Sequence, residues 1–211
     1  MPLGIETLVV GAVATNCYLV YEKKSRMGLV IDPGGESERI IRRIEKLGLA
    51  IDLVVNTHGH IDHILGDNAV AEATGSAAAI HPADEPMLKI DWSKFAPEFR
   101  CNFTPPVKYI LIDEGERISC GGINLKIIHT PGHSPGSISL YTPGILFSGD
   151  TLFYEDVGRD DLPGGDFQML SHSILEKLYL LPPETEVYPG HGPTTTLGHE
   201  MSNNPSFHIS R

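Results

Sequence analysis

The sequence predicts an α/β fold in which two packed β-sheets carry helices on their outer faces. Two observations carry that expectation. Short runs rich in β-branched and aromatic residues are separated by Gly, Asn and Lys/Ser turns, and stretches with apolar residues at helical spacing interrupt them. The resulting order is strands, helix, strand, helix, strands, helix, strand. No fixed-period repeat, low-complexity tract or linker divides the 211 residues, so one domain over 1–211 is expected.

The elements follow in order. Leu8-Val9-Val10, Cys17 to Tyr21 and Met27 to Ile31 read as a strand meander, stopped by Asp32-Pro33-Gly34-Gly35. Glu36 to Leu47 places Ile40, Ile41, Ile44 and Leu47 on one helical face, and Gly48 ends it. Ile51 to Val55 is a buried strand, and the Ala-rich stretch Ile64 to Thr74 is a helix ended by Gly75. Residues 81–107, with several prolines and Trp92, read as a helical turn and an irregular excursion near the mouth of a site. Strands resume at Tyr109 to Ile112, Ile123 to Ile128, Ser137 to Tyr141 and Ile145 to Phe147. Phe167 to Leu181 is helical, with Leu170, Ile174, Leu175 and Leu178 on one face, and Glu186-Val187-Tyr188 is a last short strand.

Composition narrows the function classes. The formal net charge of -11 repels phosphate backbones and no Lys/Arg-rich run offsets it, so nucleic acid is not an expected partner. Three well-separated cysteines, Cys17, Cys101 and Cys120, read as reduced thiols in a cytoplasmic protein. No basic segment precedes an apolar one at the N-terminus, and no apolar stretch is long enough to span a membrane.

The chemistry-bearing residues cluster. Thr57-His58-Gly59-His60-Ile61-Asp62-His63 directly follows the buried strand at Val55. Alternation would put His58 and His60 on one side, while Asp62 and His63, at the turn into the next helix, face a second point. His133, Asp150 and His191 each sit in a glycine-rich turn, in Pro131-Gly132-His133, Ser148-Gly149-Asp150 and Pro189-Gly190-His191-Gly192. Imidazole nitrogens and carboxylate oxygens without a thiolate suit zinc, iron or manganese. Five neutral imidazoles, two carboxylates, two divalent cations and one bridging hydroxide leave a centre of about +1, suited to a developing oxyanion. His129 reads as the end of a strand, and His81, His172, His199 and His208 as packing or surface residues, because none has a partner at ligand spacing.

The T-H-x-H-x-D-H motif at 57–63, with His133, Asp150 and His191 in that order, resembles the metallo-β-lactamase superfamily. Asn16-Cys17-Tyr18-Leu19-Val20, Ile31 to Gly35, His129 to Gly136, Ser148 to Phe153, Thr194 to Glu200 and Asn204-Pro205 resemble its short, single-domain glyoxalase II-like branch. That resemblance implies an αββα four-layer sandwich with two metals, zinc first among them, at one edge of the sheets. It implies a first position held by His58, His60 and His133, a second held by Asp62, His63 and His191, and Asp150 between them. Full-length glyoxalase II carries a further helical domain that supplies much of its glutathione site, and no such domain is expected here, because the sequence ends at Arg211 soon after the last donor.

The function so implied is hydrolysis of a small-molecule thioester such as S-lactoylglutathione by a metal-bridging hydroxide. Asp62 or Asp150 would hold the transferred proton. Arg159, in Gly158-Arg159-Asp160-Asp161, either grips a substrate carboxylate in bidentate fashion or pairs with Asp160, Asp161 or Asp166. Persulfide dioxygenases, which take a thiol-derived substrate, share the fold and the Gly158-Arg159-x-Asp161 pattern. In them a single iron uses the equivalents of His58, His133 and Asp150, a set contained in the larger one. A nucleic-acid-processing hydrolase is the least favoured reading on charge grounds.

Overall fold

The computed structural model of the protein describes residues 3–95 and 103–207. Its first sheet begins with β1 (Leu3–Val10), β2 (Thr15–Glu22) and β3 (Met27–Ile31), an antiparallel meander. Helix α1 (Ser37–Leu47) crosses over to β4 (Ala50–Val55), which runs parallel to β3. After the short helical turn α2 (Ile61–Ile64) and helix α3 (Asp67–Thr74), β5 (Ala77–Ile80) extends the parallel half. A 3-10 turn (Glu85–Lys89) and the short helix α4 (Trp92–Phe95) precede β6 (Tyr109–Leu111), the far edge of this six-stranded sheet.

The second sheet is built from β7 (Arg117–Cys120), β8 (Ile123–His129), β9 (Ile138–Thr142) and β10 (Ile145–Gly149). A small hairpin follows, β11 (Leu152–Phe153) and β12 (Asp156–Val157), and then α5 (Phe167–Glu176). β13 (Glu186–Pro189) runs parallel to β10, and β14 (Thr195–Thr196) closes the sheet before α6 (Leu197–Asn203).

Strand alternation makes the layers. Tyr18, Val20, Leu29, Ile31 and Val55 from the first sheet meet Leu125, Ile127, Leu140 and Phe147 from the second in one core. The intervening Cys17, Leu19, Val30 and Val54 face outward onto Ile40 and Ile44 of α1 and Val70 of α3. On the other outer face, Leu146 and Val187 pack against Leu170 and Ile174 of α5 and Leu197 of α6. The expected αββα sandwich follows, because strands buried on both faces need helices on both outer sides. In β4 the pairing slips by one residue between Gly28 and Leu29, so Ile51 joins the outer face although Leu53 and Val55 point inward.

Several elements depart from expectation. The helix read over Ile64 to Thr74 is two pieces, broken at Leu65-Gly66 where the Gly66 N–H donates to the Pro33 carbonyl at 2.7 Å. β1 starts at Leu3, five residues before the apolar run. The last predicted helix stops at Glu176, and a 3-10 turn covers Leu178–Leu180. β5, β7, β14 and α6 were not anticipated. Of the cysteines, Cys17 and Cys120 are free and buried, while Cys101 lies outside the described residues, as does His208. Among the described residues no helix is long and apolar enough to cross a membrane.

Candidate metal centre

Four strands end at the same edge of the sandwich. β4 delivers residues 57–63, β8 leads to His133, β10 ends at Gly149 before Asp150, and β13 ends at Pro189 before His191. The carboxyl ends of strands are where open α/β sheets leave a crevice. All seven predicted donors meet there. Their atoms form three overlapping groups: His58, His60 and His133; His58, His63 and Asp150; and Asp62, His63 and His191. Within each group the donor atoms lie within 4.8 Å of one another.

The contacts inside the cluster are those of acceptors aimed at an ion. His133 Nε2 lies 3.2 Å from His58 Nε2 and 2.8 Å from His60 Nδ1. Asp150 sits between the outer groups, with Oδ1 3.4 Å from His63 Nε2 and Oδ2 3.6 Å from both His133 Nε2 and His191 Nε2. Asp62 Oδ2 is 3.2 Å from His191 Nε2 and 3.4 Å from His63 Nε2. His63 Nε2 and Asp150 Oδ1 are buried without a hydrogen-bond partner. Orphaned buried atoms of this kind are costly unless something fills the space between them, and a divalent cation does so. The residues therefore fit the metals that the resemblance implies.

Partners on the far side of the His133, His63 and His58 rings fix which nitrogen faces inward. His133 Nδ1 donates to the Arg159 carbonyl at 2.8 Å, and a carbonyl only accepts, so Nε2 keeps its lone pair. His63 Nδ1 donates to Asp32 Oδ2 at 2.9 Å. The same Asp32 accepts from the Thr57 hydroxyl at 2.7 Å, and that hydroxyl meets His58 Nδ1 at 3.1 Å. Asp32 also accepts the Thr57 N–H at 2.7 Å, so one carboxylate orients two imidazoles and the start of their loop. In the sequence Asp32 reads as a strand stop within a stretch that carries the resemblance, and its side-chain role depends on partners 25 and 31 residues away. Asp84 was missed as well. It accepts from Gly59 N–H at 2.9 Å, Ser134 Oγ at 2.6 Å and Gly136 N–H at 2.6 Å.

Electrostatics favour ligand-competent protonation states at His58, His60, Asp62 and Asp150. Burial pushes the His58 imidazole well below its usual range, and burial with the neighbouring His133 takes His60 down to about 4. Both are neutral at pH 7, as ligands must be. Burial alone would raise the Asp62 and Asp150 carboxyls, but the attraction of His63 and its neighbours wins and holds both low. His63 is opposed by burial yet pulled up by Asp150, Asp62 and Asp32. It favours a proton where a cation would otherwise stand.

Two glycines make the convergence possible. A Cβ at Gly190 would overlap Asp150 Oδ1 and lie 2.9 Å from His63 Cε1, and Gly149 takes φ 52° where a Cβ would press on Thr57. The His191 turn is clipped to β2 by Asn16, whose Nδ2 donates to the Pro189 carbonyl at 3.0 Å and the Gly192 carbonyl at 2.9 Å. Trp92 borders the cluster, its ring centroid 6.4 Å from that of His60, so the 81–95 part of the irregular excursion does reach the site. Arg159 adopts the second of its expected states, an exposed bidentate pair with Asp161 at 2.8 and 3.0 Å. Of the other histidines, His81 and His129 stack on each other at 4.1 Å, His199 pairs with Glu155, and His172 is exposed.

Comparison with known proteins places this geometry. The family model described as Metallo-beta-lactamase superfamily matches residues 10–191. Hydroxyacylglutathione hydrolase GloC of Haemophilus influenzae is 35% identical over 210 residues, covering 96% of this chain and 97% of its own. Among solved structures, BLEG-1 B3 metallo-beta-lactamase superposes with a TM-score of 0.89 at 33% identity, covering 97% of this chain and 100% of that one. TTHA1623, solved in a di-iron-bound form, gives a TM-score of 0.86 at 36% identity, covering 96% of this chain and 100% of that one.

Proposed function

Because the chain belongs to the metallo-beta-lactamase superfamily, we propose that it is a metal-dependent thioesterase of the hydroxyacylglutathione hydrolase type. The observation that carries this reading is the pair of donor groups on either side of Asp150, His58–His60–His133 and Asp62–His63–His191. The 35% identity to a hydroxyacylglutathione hydrolase over nearly the whole chain supports the substrate class. When bound, two divalent cations, zinc first, supply Lewis acidity that makes hydroxide available near neutral pH and offsets charge on the thioester oxygen.

The chain's own groups divide the remaining work. Asp150, buried between the two donor groups, keeps them in register. Asp62, partly exposed and hydrogen-bonded to His191 through Oδ2, is the carboxylate nearer solvent and would take the proton of the attacking water at Oδ1, the oxygen not turned toward His63 and His191. The leaving thiol has a pKa of about 8.5, so it departs as thiolate without a dedicated general acid. Trp92 and Phe153, whose rings lie 6.4 Å from His60 and 6.2 Å from His191, flank the approach. A substrate carboxylate would have to displace Asp161 from Arg159. Arg159→Ala is therefore expected to leave a small neutral thioester unaffected and to raise KM severalfold for S-lactoylglutathione only.

The test is a panel of S-lactoylglutathione, a small acyl thioester and a β-lactam, each assayed with zinc-loaded protein. Thiol release from at least one thioester supports the proposal, and turnover of the β-lactam alone sinks it. A second reading draws on the subset His58, His133 and Asp150, a two-histidine, one-carboxylate set, and on a 36% identical structure that binds iron, there as a pair. It is persulfide oxygenation at a single iron, and oxygen uptake with glutathione persulfide on the ferrous protein decides for it.

A further inference from the structure

We infer that Asp84 is a positioning residue that selectively sets the affinity of one of the two cation positions, the one formed by His58, His60 and His133. The inference rests on the two-cation reading above. Asp84 is fully buried and touches none of the seven donors. It acts through the backbone that carries them. Gly59, whose N–H it accepts, lies between His58 and His60. Ser134 and Gly136, whose hydroxyl and N–H it accepts, follow His133 in the same turn. One carboxylate thus joins the two chain segments that hold all three imidazoles of that group.

The other group has further supports, one of which, Asp32, also reaches His58 through the Thr57 hydroxyl. His63 is oriented by Asp32, and the His191 turn by Asn16. Neither of these residues bonds to Gly59 or to residues 134–136 among the described contacts. The Asp84 joint is also tight: a Cβ at Gly136 would lie 2.6 Å from Asp84 Cγ, and one at Gly59 would lie 2.7 Å from Met87 Cβ in the 3-10 turn that Asp84 precedes. In Asp84→Asn one carboxylate oxygen becomes an amide N–H₂. That donor faces the Gly136 N–H if it replaces Oδ1, or the Gly59 N–H and the Ser134 hydroxyl if it replaces Oδ2, so the joint between the loop of His133 and the loop of His58 and His60 is weakened in either orientation. Partners one step behind a metal ligand typically change affinity by roughly 10–100-fold.

The test is calorimetric titration of zinc into chelator-stripped full-length protein, with a circular-dichroism melt of each variant. Wild type is expected to take up two equivalents. Asp84→Asn is expected to keep one equivalent at wild-type affinity and to weaken the other roughly 10–100-fold. Adding His191→Ala to Asp84→Asn should remove the remaining tight equivalent, whereas adding His60→Ala should cost nothing beyond His60→Ala alone. If Asp84→Asn does not fold, Ser134→Ala deletes one of the three donors, keeps the charge, and should weaken one equivalent severalfold. Two unchanged equivalents, or both weakened together in a folded variant, overturn the role of Asp84. A wild-type titration that stops at one equivalent overturns the two-cation reading and the selectivity with it.

Discussion

At the scale of single residues, the centre depends on atoms that have no room to move. Gly190 illustrates this. Any side chain there would occupy the position of Asp150 Oδ1, the atom that faces His63. Gly190→Ala is therefore expected to remain folded, to lose bound metal and to lose at least a hundredfold in kcat, as measured by metal analysis beside a thiol-release assay. Asp32→Asn leaves His63 Nδ1 and Thr57 to share a poorer partner, and should weaken metal binding roughly 10–100-fold in a chelator competition assay. The seven donors were legible because four of them fall within six consecutive residues and three stand in Gly-flanked turns. Asp32 and Asp84 were not. A buried carboxylate looks like any turn residue until the fold brings its donors to it from 25 to 52 positions away.

Elements position those residues, and α3 does so at an electrostatic cost. Asp67 opens α3 fully buried, with Oδ1 accepting from Asn56 at 2.9 Å and Oδ2 unpartnered. Burial pushes its carboxyl well above the ordinary range. The folded state thus holds a proton that the unfolded chain releases near pH 3.9, so this group's contribution to stability falls as pH rises from there through the folded value. Asp67→Asn carries no such proton. Its stability relative to wild type should increase between pH 5 and pH 8, measured by chemical denaturation of metal-free protein; an unchanged difference would contradict the assignment. On β2, Asn16→Ala removes two bonds to the His191 turn and should cost about 1–3 kcal/mol in the same experiment.

Element legibility followed local signal. β2, β3, β4 and α1 have β-branched runs or a clear helical face and stand within a few residues of expectation. β5 is Ala77-Ala78-Ala79-Ile80, a poor strand former held extended by pairing with β4 and β6. α6 hides a glycine at its second residue and is capped by the Thr196 side chain, which accepts from His199 N–H at 3.2 Å. In both, tertiary contacts outweigh propensity.

For the whole molecule, the two sheets form the rigid frame that brings four strand ends to one edge. Phe147 lies at their interface, fully buried, its ring 5.2 Å from Tyr18 and 5.4 Å from Tyr188. Phe147→Ala should cost about 3–5 kcal/mol in urea unfolding, a large share of the roughly 5–15 kcal/mol that holds a typical domain together. Four-layer architecture was readable because strand runs alternate with stretches of helical spacing, an order that two packed sheets with outer helices satisfy. Substrate choice was less so, since the same seven donors contain the three that would serve oxygen chemistry. The most direct measurement of the central claim is thiol release from S-lactoylglutathione or a small acyl thioester as zinc is titrated into chelator-stripped protein. Activity is expected to return and to saturate at two equivalents per chain. Saturation at one equivalent, or no thiol release at any loading, would contradict it.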